Sequence, residues 1–395
     1  MKMRSLIFAL LLVFLAPFAR PYAETAAQTA GQGAAQTAAD KPALAENVFK
    51  SVQVLRGISA EEFMNTMGFF SAALGMNCVD CHTPESVGNW ARFAEDTPVK
   101  QTARRMIVMV KTINQANFGG QRKITCYSCH RGTNRPEITP SLAEQYGAPP
   151  PEDPDRIESS GDRPSAPSAE QILDRYIQAV GGAAQLARLT SFTGKGTYAG
   201  YDTDTEAVPV EVFVKAPNLR AMIVHTRLGD STFAYDGRAA WVASIDEPLP
   251  LFAMSGDELA GARIDAEIAL PARIKQTFAT WRAGFPDVNI DGRVLQVIEG
   301  TSPGNLGVKF FFDKETGLLA RQVRYANTAV GLIPTHIEYS DYRAVAGVKI
   351  PFQWIVTWTH GQSTIKLSDV QPNAAIDATR FAKPAPAKPP KTADL

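Results

Sequence analysis

The chain has 395 residues, with 40 basic and 40 acidic side chains and a formal net charge of zero. That balance argues against a nucleic-acid partner, whose phosphates call for a basic surface. The length leaves room for two domains.

Lys2 and Arg4 precede an apolar run over residues 6–18. The run is short for a bilayer span and reads as a signal peptide, 1–23, with cleavage between Ala19 and Ala26. No cysteine stands there, so an N-terminal lipid anchor is not expected. Export to the periplasm follows, with membrane association if the signal stays uncleaved. Residues 24–44 are rich in Ala, Gln, Thr and Gly and read as a flexible leader.

The next segment, 45–135, reads as helical. Ser59-Ala60-Glu61-Glu62 is a capping box that starts a helix. Along it Phe63, Met67, Phe70 and Leu74 form one apolar stripe, and Gly75 ends it. Thr97-Pro98 opens a second helix. Its inward stripe is expected at Val99, Ala103, Met106, Val110 and Ile113, with a stop at Gly119-Gly120.

Each helix is followed by a Cys-x-x-Cys-His pentapeptide, Cys78-Val79-Asp80-Cys81-His82 and Cys126-Tyr127-Ser128-Cys129-His130. Together they use all four cysteines. Two thiols on one turn add across the two vinyl groups of a haem, and the adjacent histidine is brought under the iron. The expectation is two covalent haem c groups, with Cys78, Cys81, Cys126 and Cys129 as thioether anchors and His82 and His130 as iron ligands. Disulfides would not call for a histidine after each pair. A zinc ribbon typically spaces its pairs by 15–20 residues, against 44 here. A thioredoxin-like motif needs a βαβ setting, which is absent around both pairs. Met64, Met67, Met76, Met106 and Met109 are candidates for the sixth iron position. Met67 and Met106 lie on the stripes, where a methionine serves equally well as core. Between 49 and 135 stand 11 Lys/Arg against 6 Asp/Glu, an excess that haem propionates would neutralise. Arg104 and Arg105 are candidates for that contact.

Residues 136–167 hold eight prolines and read as a semi-stiff linker without helix or sheet, separating two independently folding units. From 168 the grain changes. Residues 169–189 are helical, broken at Gly181-Gly182. Val208, Val210, Val212 and Val214 alternate as a strand with one buried face. Hairpins are expected at 309–325 and at 336–358. Residues 168–383 therefore read as a β-rich module, and 384–395 as a disordered tail. His225, His336 and His360 fall in strand-like text and read as satisfied sheet or surface histidines. The fold class is multidomain α+β: a mainly α-helical dihaem domain, then a curved antiparallel sheet or half-barrel with an N-terminal helix.

Several segments resemble the cytochrome c subunit of photosynthetic reaction centres. They are Val52-Gln53-Val54-Leu55, Glu62-Phe63-Met64-Asn65-Thr66-Met67, Asn77-Cys78-Val79-Asp80-Cys81-His82, Ala103-Arg104-Arg105-Met106 and Thr125-Cys126-Tyr127-Ser128-Cys129-His130-Arg131-Gly132. In that family most haems take a helix methionine as distal ligand. The resemblance, which covers roughly residues 47–135, implies Met67 and Met106 in that role. It also implies electron transfer with redox partner proteins, such as a membrane reaction centre or a respiratory complex. The chain departs from the family in carrying two haem units rather than four and in lacking an evident membrane anchor. Its second half resembles the outer-membrane lipoprotein-sorting, LolA-like group through Tyr235-Asp236-Gly237, Phe312-Asp313-Lys314-Glu315-Thr316-Gly317-Leu318-Leu319 and Val348-Lys349-Ile350-Pro351. An electron carrier rather than an enzyme is expected. The alternatives are a haem enzyme acting on a small molecule, and an envelope module whose second half holds a hydrophobic ligand while the haems are accessory.

Overall fold

The computed structural model describes residues 41–149, 152–160, 166–301 and 307–388. The expected signal peptide, leader residues 24–40 and the tail beyond 388 lie outside them. A single turn of helix, α1 (Ala45–Val48), leads into α2 (Ala60–Leu74). The Ser59 hydroxyl accepts a hydrogen bond from the Glu62 N–H at 3.0 Å. Gly75 ends α2 in the left-handed region at φ 60°, where a side chain is disfavoured. The first pentapeptide begins the short α3 (Cys78–Cys81). α4 (Pro98–Phe118) starts where Thr97 Oγ1 accepts from Lys100 N–H at 3.2 Å, and α5 (Cys126–His130) carries the second pentapeptide. The unit of helix followed by Cys-x-x-Cys-His therefore occurs twice.

The Pro-rich segment departs from its expectation. It contains α6 (Leu142–Tyr146) and a tight 3₁₀ turn at Pro154–Arg156. Asp155 fixes that turn to the sheet. Its carboxylate accepts from Arg321 Nη1 at 2.9 Å and from His336 Nδ1 at 3.1 Å. Its backbone carbonyl accepts from Lys309 Nζ at 2.8 Å and Tyr325 OH at 3.0 Å. Proline lacks an N–H and so resists helix and strand interiors. The carbonyls of such a segment remain free to serve partners elsewhere in the fold.

α7 (Ala169–Ala179) and α8 (Ala183–Arg188) are split at Gly181-Gly182, as the sequence indicates. Fourteen strands follow: β1 (Ser191–Gly200), β2 (Val208–Lys215), β3 (Leu219–Thr226), β4 (Gly229–Tyr235), β5 (Ala240–Ala243), β6 (Phe252–Ala253), β7 (Trp281–Arg282), β8 (Val288–Ile290), β9 (Arg293–Thr301), β10 (Gly307–Asp313), β11 (Leu319–Asn327), β12 (Leu332–Val345), β13 (Val348–Trp358) and β14 (Gly361–Pro372). They form one open, curved antiparallel sheet in the order β6-β5-β4-β3-β2-β1-β14-β13-β12-β11-β10-β9-β7, with β8 beside β9. Both anticipated hairpins are present. Ala346 and Gly347, at φ 50° and 81°, make the two-residue turn between β12 and β13. His225 sits 2.8 Å from an Asp230 carboxylate oxygen, and His336 pairs with Asp155.

The main core lies against one face of the sheet. Val210, Val212, Val214, Phe310, Phe312, Phe352 and Ile365 meet Leu173 and Tyr176 of α7 and Leu186 of α8. A further helix, α9 (Gly256–Ala269), closes the same face and was not visible in the sequence. Its buried residues Ala262, Ile264, Ala266 and Ile268 alternate like a strand. The reason is burial on two sides. Ile264 and Ile268 enter the main core, while Ala262 and Ala266 pack on Tyr235 and Ala240.

The helical segment packs on the sheet within one compact unit, Pro42–Leu395. Phe69 and Ala73 of α2 share a buried cluster with Ala326, Val330 and Ile333. Arg122 donates to the Thr328 carbonyl and to Asn327 Oδ1. At the start of α2, Glu61 accepts from Ser255 N–H at 3.0 Å, and Glu258 stands in the first turn of α9, which Ser255 precedes. Burial first, then the negative charge of Glu258, pushes the Glu61 carboxyl up to about 8. Burial raises Glu62, Asp246 and Glu247 in the same direction.

Two predictions arise from these contacts. Asp155→Ala removes the acceptor that Arg321 and His336 share, at a cost of about 1–3 kcal/mol. Thermal unfolding should therefore come at lower temperature, and trypsin should cut after Arg156 faster than in wild type. Unchanged values of both would mean that the strap contributes nothing. The second concerns pH. A carboxyl raised to about 8 in the fold but ordinary when unfolded stabilises the fold fully below its unfolded value, and this is lost as pH rises through 8. Melting temperature should fall between pH 5 and pH 9. Glu61→Gln should flatten that slope by up to about 1.4 kcal/mol per pH unit. A variant as steep as wild type would remove Glu61 as the source.

Candidate haem sites

α2 has two faces with different neighbours. Thr66, Gly68, Phe69 and Ala73 are buried. The expected stripe, Phe63, Met67, Phe70 and Leu74, is half-buried and lines a cavity of about 390 Å³. The apolar periodicity therefore marks a cavity wall, and the packed face is the other one. Cys78, Cys81 and His82 line the same cavity, with Val52, Leu55, Phe93 and Ile107 as further apolar wall and Lys100 and Arg104 as cations.

The motif is held in place by short local bonds. The Asp80 carboxylate accepts from Asn77 N–H at 2.6 Å, and Thr97 Oγ1 donates to the Cys81 carbonyl at 2.8 Å. His82 Nδ1 lies 3.2 Å from the Phe93 carbonyl oxygen. A carbonyl only accepts, so Nδ1 carries the proton and Nε2 keeps its lone pair for a metal. Burial, then the charge of Lys100, lowers the His82 pKa to about 4, which keeps the ring neutral. Thiols, a neutral imidazole, a thioether wall, apolar lining and two cations form a donor set that fits a covalently attached haem.

The second motif repeats the pattern. His130 Nδ1 lies 3.0 Å from the Thr133 carbonyl oxygen, so its Nε2 is likewise free to bind. Asn114, 5% exposed, positions the approach to α5. Its side-chain amide donates to the Ile124 carbonyl at 2.7 Å, and its Oδ1 accepts from Lys123 and Ile124 N–H at 3.0 and 2.9 Å. Cys126 is buried beside Phe69, Ala73 and Ile107, while Cys129 is exposed. The two motifs touch through α2, where Gly132 N–H donates to the Ala73 carbonyl at 3.0 Å. A side chain at Gly75 would run into the Gly132 carbonyl.

The buried face of α4 differs from its expected stripe by one residue of rotation. Ile107, Val110 and Asn114 are buried, Ala103 and Ile113 half-buried, and Val99 and Met106 exposed, Met106 at 41%. The cause is Asn114, a polar residue that apolar periodicity does not count and that pulls its own face inward. Arg104 pairs with Asp96 at 2.6 Å beside the first cavity, and Arg105 donates to Thr102 Oγ1 at 2.9 Å. Met64, a candidate off the stripe, lines the first cavity with Met67. Two features escaped the sequence reading: Pro248 and His360 reach that cavity from the sheet half. None of the four cysteines is paired in a disulfide. Among the described residues no three His, Cys, Asp or Glu side chains converge as a metal site.

Residues 19–149 match the family described as photosynthetic reaction centre cytochrome C subunit. The reaction centre cytochrome c subunit of Thermochromatium tepidum is 35% identical over 97 residues, covering 24% of this chain and 23% of that protein. The one from Rubrivivax gelatinosus is 32% identical over 103 residues, covering 22% and 27%. The chain thus spans about a quarter of the length of these relatives. The helical, haem-motif part resembles this family. Among solved structures, a LolA superfamily protein from Nitrosomonas europaea matches 55% of this chain and 99% of its own, at 14% identity and TM-score 0.37. A lipoprotein-sorting protein domain from Vibrio parahaemolyticus matches 54% and 95%, at 10% identity and TM-score 0.35.

Met64 and Met67, three residues apart on α2, both line the first cavity, and exchange of each for leucine tells them apart. Leucine keeps volume and apolarity near those of methionine, so folding should cost under about 1.5 kcal/mol in either case. Met67→Leu should abolish the weak sulfur-to-iron absorption band of one haem and lower its potential, while Met64→Leu leaves both unchanged. The reverse result would move the ligand to Met64.

Proposed function

We propose that this chain is an exported dihaem c-type cytochrome that carries single electrons between redox partner proteins. The observation that supports it most is the first cavity. There Cys78 and Cys81, the His82 imidazole with Nδ1 committed to a carbonyl, and Met67 all meet one apolar space. The second motif repeats the imidazole arrangement at His130. In this reading Cys78, Cys81, Cys126 and Cys129 would anchor the haems, and His82, His130, Met67 and Met106 would supply the iron ligands. Haem c supplies a reversible one-electron change at iron. The protein's own part is to hold both axial donors, to exclude water with Phe63, Phe70, Leu74 and Phe93, and to place Lys100 and Arg104 by the first cavity.

The reading divides the chain into a signal peptide at 1–23, a leader at 24–44, an electron-carrying part at 45–135, a connecting segment at 136–167, a sheet part at 168–383 and a tail. The partners would be a membrane reaction centre or a respiratory complex, by analogy with the relatives' names. Among the described residues no helix is long and apolar enough to cross a membrane. On the sheet half, α7, α8 and α9 cover one face of the sheet.

Two covalent haems per chain should follow from maturation in a host with a working haem-ligation system. A pyridine haemochrome assay with intact mass measures this directly. One haem, or none, sinks the proposal. Carbon monoxide should leave the ferrous spectrum nearly unchanged, since two axial donors occupy each iron; strong binding at one haem would favour the small-molecule enzyme.

A further inference from the structure

The first haem cavity is not made by the helical segment alone. His360 and Pro248, both from the sheet half, line it together with Cys78, Cys81, His82 and Met67. His360 lies in the two-residue turn Thr359-His360 that joins β13 and β14, where Trp358 pairs with Gly361 across the ladder. So short a turn fixes where its side chains point. The imidazole stands edge-on to Trp358, with ring centres 6.1 Å apart. It rests on α2 at Gly68, the residue after Met67. A Cβ at Gly68 would overlap the His360 Nδ1 and lie 2.8 Å from Thr359 Oγ1. A glycine in mid-helix weakens the helix, and here the missing Cβ is the space that the turn occupies.

We propose that the sheet half completes the first haem pocket, and that His360, seated on Gly68 beside Met67, is a positioning residue that sets water access and potential at the haem of Cys78 and Cys81. This rests on the dihaem reading above. The ring stands against the α2 backbone at the residue after Met67, where it would restrain Met67 and limit the approach of solvent to that side of the cavity. The shell around a haem controls local dielectric and hence potential. The second haem, held by Cys126 and Cys129, has no such neighbour among the residues that line this cavity.

The test is a potentiometric titration of the full-length haem-loaded protein, in wild type, His360→Ala, Gly68→Ala and His360→Gln. Gly68→Ala keeps the histidine but displaces the turn. Met67→Leu marks which midpoint belongs to the first haem. In both alanine variants that midpoint should shift downward, with a weaker sulfur-to-iron band, while the other midpoint stays. His360→Gln, which retains a planar polar group, should recover much of the shift. Two haems per chain with both midpoints unmoved in both alanine variants overturns the proposal and leaves the dihaem reading intact. A wild type without two haems overturns the dihaem reading itself. Where a variant matures poorly, peptide mass mapping decides: haem lost from the Cys78–Cys81 peptide supports the proposal, and loss from the Cys126–Cys129 peptide or from both overturns it.

Discussion

The packing of Phe69 and Ala73 against Ala326, Val330 and Ile333 is the contact on which the placing of both motifs depends. A helix has one circumference to divide among its neighbours. With Phe69 and Ala73 set against the sheet, Phe63, Met67, Phe70 and Leu74, displaced around the axis, line the cavity that His360 and Pro248 also reach. Gly75 then turns the chain so that Cys78 follows within one turn, and the bond from Gly132 N–H to the Ala73 carbonyl ties the second motif to the same helix end. Both haem motifs are thus referenced to one rigid element, and any shift of α2 on the sheet moves both.

The histidines of both motifs are oriented by backbone rather than by side chains. A carboxylate partner would add negative charge beside the ring and would make the imidazole more basic. The Phe93 and Thr133 carbonyls fix the ring and its tautomer without adding a charge. They also cannot be lost by side-chain substitution, so the arrangement is as durable as the turns that present it. Asn114 extends this economy to the approach to α5, where one buried amide serves three backbone groups.

What was legible in the sequence was local. The caps at Ser59 and Thr97, the stops at Gly75 and Gly119, the paired pentapeptides and the two hairpins depend on neighbours within a few residues, and the chain states them outright. The rest depends on contacts that no spacing records. α9 reads as a strand because two faces are buried at once. The strap at Asp155 looks like linker because its partners are more than 150 residues away. Met106 looks inward because the apolar pattern ignores Asn114. His360 was taken for an ordinary strand histidine because its neighbours on α2 lie almost 300 residues earlier. Local signals located the two Cys-x-x-Cys-His motifs, and tertiary contact decided what surrounds them.

Glycine shows where the two halves were fitted together. Within α2 it stands at Gly68, where propensity alone would place alanine at a gain of about 1 kcal/mol. On the facing hairpin a Cβ at Gly331 would strike the Phe69 ring. Both positions sacrifice local stability for close approach, one for the His360 turn and one for the Phe69 ring. A free-standing helical cytochrome joined by a loose tether would have no reason to keep either. Local preference gives way here to a long-range fit, and it does so on the helix that carries Met67. The sheet is therefore part of the structure around the first motif, and the constraint it imposes runs through Gly68, Phe69 and Ala73 of α2.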